Sequence, residues 1–322
     1  MAERWGDKSL MFDYKMHEVC SWILNLESEY NLFDLSLQGV RIWKLIRFEI
    51  FLGACKALGI YGEAHAQSTV RSKLEFLFLG LYNSIVHNPF VGSDTGKILI
   101  FRHPRKVSVS GNWLDVYTQP LVEELEPKSY EIFESPYLTK HFLTAEDRNI
   151  RYLDHMLLSN AFHYVFKSLK KLFSAADISM ITELENRFFK KFGYRPFFER
   201  IIARNITRFK VSEVYYNRLI RKKMPRKIVL VVSYGREALI SAARKNNVEV
   251  VELQHGTMSP YHLGYSFPCS DCEIPYFPDR IFSFGNFWKD TVAIPLSKDK
   301  IHNVGFPFLS YKLRRLEGIK KK

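Results

Sequence analysis

Cysteine is scarce in this chain: four residues among 322 are too few for a disulfide scaffold and fit a reducing compartment. Long apolar runs are missing as well. The longest, such as Phe76-Leu77-Phe78-Leu79-Gly80-Leu81-Tyr82, fall far short of the roughly 20 residues a bilayer-spanning helix needs. The N-terminal stretch Met1-Ala2-Glu3-Arg4-Trp5-Gly6-Asp7-Lys8 lacks the apolar core and small-residue cleavage site of a secretory signal. These absences place the protein in the cytoplasm. Acidic residues are in deficit too, 34 against 47 Lys and Arg, which leaves a net charge of +13. A positive surface of that kind attracts anionic lipid, nucleotide phosphates and nucleic acid alike. Paired zinc-ligand clusters, an RNP-type aromatic strand and a basic zipper are absent from the sequence, so nucleic acid ranks last among these partners. Peripheral contact with anionic membrane, at the inner face of the plasma membrane, stays open.

The cysteines themselves read as two classes. Cys20 and Cys55 lie on apolar helical faces, and Cys269 and Cys272 form one CxxC between Pro268 and Pro275. A structural zinc there needs two further ligands, for which His255 and His262 are near in sequence. A lone CxxC outside a strand-to-helix setting is a weak signal, so no metal and no cofactor is expected.

What the chain does contain is enough apolar surface for a sizeable core, 47% hydrophobic against 25% charged residues, with 26 Phe, 17 Tyr and 5 Trp. From about Lys15 to Val86 apolar residues return at three- and four-residue spacings, including Trp22, Ile23, Leu26, Trp43, Ile46 and Ile50. The second of these helices also carries Arg41, Lys44 and Arg47, so it either covers a sheet or lies in a membrane interface, and packing is the favoured reading. Turn chemistry at Gly92 to Gly96 precedes Lys97-Ile98-Leu99-Ile100-Phe101, a short apolar run of the kind found centrally in parallel sheets. A polar loop to Asp115, a helix through Leu121 and Leu125 and a strand at Tyr130 to Phe133 complete a βαβ unit.

Helical periodicity then resumes from about Arg151 to Lys223, through Leu157, Phe162, Val165, Phe166, Leu169 and Phe173 and a helix from Phe197 to Arg221. Its basic residues, Lys167, Lys170 and Lys171 among them, read as a solvated face. Pro225 ends it. The β-branched run Lys227 to Val232, a helix Glu237 to Lys245 and a strand Val248 to Leu253 form a second βαβ unit. Strands at Arg280 to Ser283 and Ile301 to Val304, with a helix near Trp288 to Val292 between them, complete an α/β, Rossmann-like, mostly parallel sheet. The expected division is a helical extension over 1–90, a Rossmann-like domain over 91–310 with a helical insertion at about 145–224, and a basic tail or linker over 311–322.

Ligands of open parallel sheets bind beyond the carboxyl ends of the strands. That rule selects His103-Pro104-Arg105, Ser233-Tyr234-Gly235-Arg236, Gln254-His255-Gly256-Thr257 and Phe284-Gly285-Asn286. His255 leaves a buried strand beside Gly256, a residue that lets the backbone turn sharply and a substrate approach; an imidazole there can act as a base near neutral pH or only hydrogen-bond its loop, and position alone does not choose between the two. Gln254 and Thr257 orient that loop. Arg102, His103 and Arg105 are candidates for anionic groups of an acceptor and Asp115 for a further polar contact, with a structural role the favoured reading for each of the four, and Tyr234 and Gly285 are candidate substrate-binding positions.

The string Val250-Val251-Glu252-Leu253-Gln254-His255-Gly256, with Tyr265, Pro278-Asp279-Arg280-Ile281, Phe284-Gly285 and Val304-Gly305-Phe306-Pro307 after it, resembles bacterial surface-polysaccharide glycosyltransferases of GT-B fold. It is also similar to the His-Gly-Thr segment of the CDP-glycerol glycerophosphotransferases. The resemblance implies that His255 deprotonates an acceptor hydroxyl, that the donor is a nucleotide sugar and that the acceptor is a saccharide or lipid-linked. It further implies a second Rossmann-like, donor-binding half beyond a segment like Val304 to Pro307, whereas this sequence stops at Lys322. The expectation is therefore the amino-terminal acceptor domain of a capsule, O-antigen or related glycosyltransferase, inactive without the other half. The competing expectation is a non-catalytic protein that sits on a membrane or on a partner of a polysaccharide assembly system.

Overall fold

Short runs of β-branched and apolar residues set the frame. In chain order the strands are β1 (Ser36–Leu37), β2 (Val40–Arg41), β3 (Ile98–Phe101), β4 (Val107–Val109), β5 (Asn112–Leu114), β6 (Tyr130–Glu134), β7 (Ile150–Tyr152), β8 (Lys227–Val231), β9 (Val250–Leu253), β10 (Arg280–Ser283) and β11 (Ile301–Asn303). The helices are α1 (Met16–Glu29), α2 (Trp43–Ala57), α3 (Val70–Val86), α4 (Gln119–Glu123), α5 (Ala175–Phe192), α6 (Phe198–Lys223), α7 (Glu237–Lys245), α8 (Asn286–Thr291) and α9 (Pro307–Leu316). The computed structural model describes residues 14–60, 70–92, 95–109, 112–137, 140–142, 150–156, 158, 173–270 and 272–316.

Seven strands form one sheet in the order β11-β10-β9-β8-β3-β6-β7, and every pairing is parallel. Alternation within each strand sends Leu99, Phe101, Ile228 and Leu230 to the core on one face and Ile100, Ile132 and Val229 to the core on the other. Burial on both sides is why these strands read as unbroken apolar runs. The chain builds outward from β3 to β6 and β7, then returns to lay β8 on the opposite side of β3. The order reverses between β3 and β8, and a crevice opens beyond the carboxyl ends of strands at such a switch.

One continuous core joins the N-terminal helices to the sheet, since Ile23 of α1, Trp43 and Ile50 of α2 and Leu230 of β8 belong to the same buried cluster. On α2, Trp43, Ile46, Arg47 and Ile50 are all at most 1% exposed, which excludes the membrane-interface reading for this helix. Its buried Arg47 pairs with Glu27 of α1 at 2.6 Å and donates to the carbonyls of Leu263 and Ser266. Removing one partner of such a pair leaves an uncompensated buried charge, at a cost of about 3–5 kcal/mol. Arg47 thereby fixes the long loop after β9 against the helices. α3 differs: Phe78, Tyr82 and Ile85 are 71%, 61% and 77% exposed.

Several expectations are corrected. The segment from Arg151 does not open as a helix, because Ile150–Tyr152 pairs with β6 as a parallel edge strand too short to leave a periodicity. The polar loop before Asp115 contains the hairpin β4–β5. The tail from residue 311 is helical through Leu316. Cys269 and Cys272 are joined as a disulfide, against the expectation of four reduced cysteines, and the bond also uses the thiolates a zinc would need. Burial raises the thiols of Cys20 and Cys55 to about 12 and about 11, so both stay protonated. Leu157, Phe162, Val165, Phe166, Leu169, Lys167, Lys170 and Lys171 lie outside the described residues. Among the described residues no helix is long and apolar enough to cross a membrane.

Candidate active site

The loop after β9 carries His255, and Gln254 holds its turn. The Gln254 backbone N–H donates to Phe282 O at 3.0 Å, its side-chain Nε2 donates to Gly256 O at 2.7 Å, and its Oε1 accepts from Phe284 N at 2.7 Å. These bonds tie the His-Gly turn to the end of β10, so Gln254, 1% exposed, positions the loop from within. Gly256 does not occupy the left-handed region, and a Cβ built there meets open space. The sharp turn therefore does not require glycine, although the space in front of it is clear. Thr257 is exposed.

His255 is partly exposed, and both ring nitrogens meet phenols. Its Nδ1 lies 2.9 Å from the Tyr265 hydroxyl and its Nε2 lies 3.2 Å from the Tyr234 hydroxyl. Tyr265 donates its proton to Glu252 Oε1 at 2.6 Å, which leaves the phenol oxygen to accept from Nδ1–H. The tautomer assigned by this network carries the proton on Nδ1 and the free lone pair on Nε2. Burial, then the neighbouring His103 and His262, pull the imidazole down to about 4, so it is neutral at pH 7. Glu252 Oε1 also accepts from the backbone N–H of Ser233 at 3.1 Å. Burial of Glu252 raises its carboxyl in spite of the bonds from Tyr265 and Ser233 and the charge of Lys44.

Of the other expected residues, His103 and Tyr234 join this group and Arg102 and Asp115 do not. The His103 ring lies parallel to that of His255 with centroids 6.0 Å apart, and its Nδ1 accepts from Arg105 N at 3.1 Å. Burial lowers the His103 imidazole, so it is neutral too. Arg102, fully buried, donates to Thr118 Oγ1 and Gln119 Oε1 at the start of α4, which favours its structural reading over the anion contact. Asp115, also fully buried, accepts from Tyr117 N and Thr118 Oγ1 at the same turn and is out of a ligand's reach. Arg105 is exposed beside Tyr137, and Gly285 precedes α8 in extended backbone.

Glu252 and the Tyr265 hydroxyl are the parts that loop position did not single out as functional. A lone carboxylate in the run Val250–Leu253 was the visible signal, since a charge buried in a central strand requires partners. Gly264 was silent in the sequence, yet a Cβ there would come within 2.7 Å of both the Tyr234 ring and the His262 ring. Beside the group, between α2, α6 and the loop after β8, lies a cavity of about 660 Å³ whose wall includes His103 and Tyr234. His255 does not line this cavity itself; it stands behind those two rings.

No protein-family model matches the sequence, and no curated protein matches it. Among the described residues no group of three His, Cys, Asp or Glu has the arrangement to hold a metal ion.

Proposed function

We propose that this chain is the acceptor-activating half of a glycosyltransferase of surface-polysaccharide synthesis, with His255 as general base. The observation that carries the reading is the proton arrangement behind the His103 and Tyr234 rings of the cavity wall: a neutral imidazole, its Nδ1 engaged by the Tyr265–Glu252 pair, its Nε2 lone pair turned to a hydroxyl. The Tyr234 hydroxyl occupies, at 3.2 Å, the place a substrate hydroxyl takes as it is deprotonated. As the acceptor oxygen bonds to the anomeric carbon, the bond to the nucleotide diphosphate breaks and the leaving group keeps the electron pair. The acceptor proton ends on Nε2. Tyr265, itself bonded to a buried carboxylate, then steadies the imidazolium through Nδ1–H, a role that a carboxylate fills directly in hydrolytic triads.

The test is His255→Ala and His255→Gln in the full chain, supplied with a nucleotide-sugar panel and, where needed, a second Rossmann-like half. Nucleotide release should fall about 100-fold or more while the melting transition moves little. Turnover at the unaltered rate would remove His255 as the base. A second reading, a peripheral membrane protein without transferase activity, draws on the exposed apolar side chains of α3 and the net charge of +13. It predicts sedimentation with anionic vesicles, lost in Phe78→Ser with Ile85→Ser, together with no turnover of any donor.

A further inference from the structure

The cavity beside His255 has a charge pattern of its own. Its wall carries two carboxylates, and both are matched: Glu237 faces Lys44 at 3.5 Å and Glu49 pairs with Arg204. Arg47, also in the wall, is matched by Glu27. Two guanidinium groups are left over. Among the described residues Arg236 reaches neutral oxygens alone, Ser135 Oγ at 3.3 Å and Tyr216 Oη at 3.5 Å, and both distances are long. Arg208 is exposed at the rim and has no carboxylate partner among the described residues. The loop that presents Arg236 begins at Val232 with φ of 72°, a left-handed conformation that a β-branched residue adopts only where its surroundings enforce it. Such strain concentrates at ligand-binding turns, and this turn lies at the point where the strand order reverses.

We propose that this cavity is a phosphoryl-binding subsite in which Arg236 and Arg208 hold the anion against the wall formed by His103 and Tyr234. The inference deepens the transferase reading and rests on it only for calling the ligand a substrate. A phosphoryl group suits the site better than a carboxylate because its three terminal oxygens accept from two separate cationic forks and from the Ser135 and Tyr216 hydroxyls. A single fork already satisfies a carboxylate. Both a nucleotide diphosphate and a phosphorylated acceptor present this chemistry.

The experiment is calorimetric titration of the full chain at fixed salt with inorganic pyrophosphate, uridine diphosphate, an alkyl phosphate and glucuronate. Pyrophosphate should bind, and Arg236→Gln should weaken it about tenfold, equivalent to ~1.4 kcal/mol. Arg236→Lys, which keeps the charge and loses the fork, should fall between. Arg208→Gln, at an exposed position that leaves the fold intact, should weaken binding about threefold, and Arg195→Gln outside the cavity should not change it. Bound pyrophosphate should also move the His255 midpoint upward in an NMR titration, which an anion on a remote basic patch does not do. The stronger of uridine diphosphate and alkyl phosphate identifies the source of the phosphoryl group. No binding of pyrophosphate, equal affinity in both glutamine variants and the unaltered chain, or glucuronate binding more tightly than alkyl phosphate would each overturn the subsite. His255→Ala should keep pyrophosphate affinity within about twofold, so failure of the transferase reading is seen in turnover and failure of the subsite in binding.

Discussion

On the β8–β9 side of the sheet the imidazole of His255 lies between two phenols, whereas on the β6–β7 side the imidazole of His141 lies between two carboxylates. His141 Nε2 is 2.8 Å from Asp154 Oδ2 and its Nδ1 is 3.2 Å from Glu134 Oε1, with Lys106 completing the group at 2.6 Å from Glu134. Burial acts on both rings in the same direction, toward the neutral form. At His141 the bonds and charges of Asp154 and Glu134 overcome it and raise the ring, while at His255 no carboxylate among the described residues touches the ring and burial prevails. Glu134 answers in kind: burial pushes its carboxyl up, but His141 and Lys106 hold it down. Two histidines of one molecule are thus shifted in opposite directions, His141 up and His255 down, by the identity of their neighbours. The carboxylate on the His255 side stands one residue back, with Tyr265 between.

The sharpest way to break the comparison is to remove that intermediary. Tyr265→Phe deletes the acceptor for Nδ1–H and one of the two donors to Glu252 Oε1. The expected outcome is a loss in kcat of about 10- to 100-fold, smaller than for His255→Ala. KM should be little changed, since the phenol supports the base rather than the ligand. A shift of the kcat–pH profile accompanies it, because the tautomer is no longer fixed. An unaltered profile would show that the phenol only fills space.

The two histidines also predict opposite pH dependences of stability. His255 has a folded value near 4, below the ordinary 6.5, so between those values the unfolded chain binds the extra proton. Its contribution is complete above 6.5 and is lost as the pH falls toward 4. His141 is raised above 6.5, so the native state binds the extra proton and its contribution, present below 6.5, is lost as the pH rises through the folded value. Urea midpoints measured against pH should therefore lose part of their acid-side slope in His255→Ala and part of their neutral-side slope in His141→Gln. The same slope change in both variants would refute the assignment of distinct proton states.

The centre of the sheet was legible because β3 and β8 are buried on both faces and so leave nearly continuous apolar runs. The run Arg280–Ser283 coincides with β10, and Lys227–Val231 ends one residue short of the expected strand because Val232 turns left-handed. β7 was not legible, since three residues at the sheet edge give no period of their own. At the site, His255, Tyr234 and His103 were visible as residues following strand ends. Arg102 stood between a structural and a ligand-binding role in the sequence, and only the fold decided between them by sending this side chain to Thr118 and Gln119.

The sequence by itself determined the mostly parallel α/β sheet and the loop that bears His255, because periodicity and chain order act along the chain, whereas the strand order and its reversal came from the fold. Tertiary structure alone decided how those residues are bonded and charged. The proton on Nδ1 depends on Tyr265 ten positions away, the placement of Tyr265 depends on Arg47 of a helix 216 residues from Leu263, and the unmatched charge of Arg236 depends on how every neighbouring ion pair is taken. Proton state and charge balance are properties of distance and burial, and neither is written in the local order of residues.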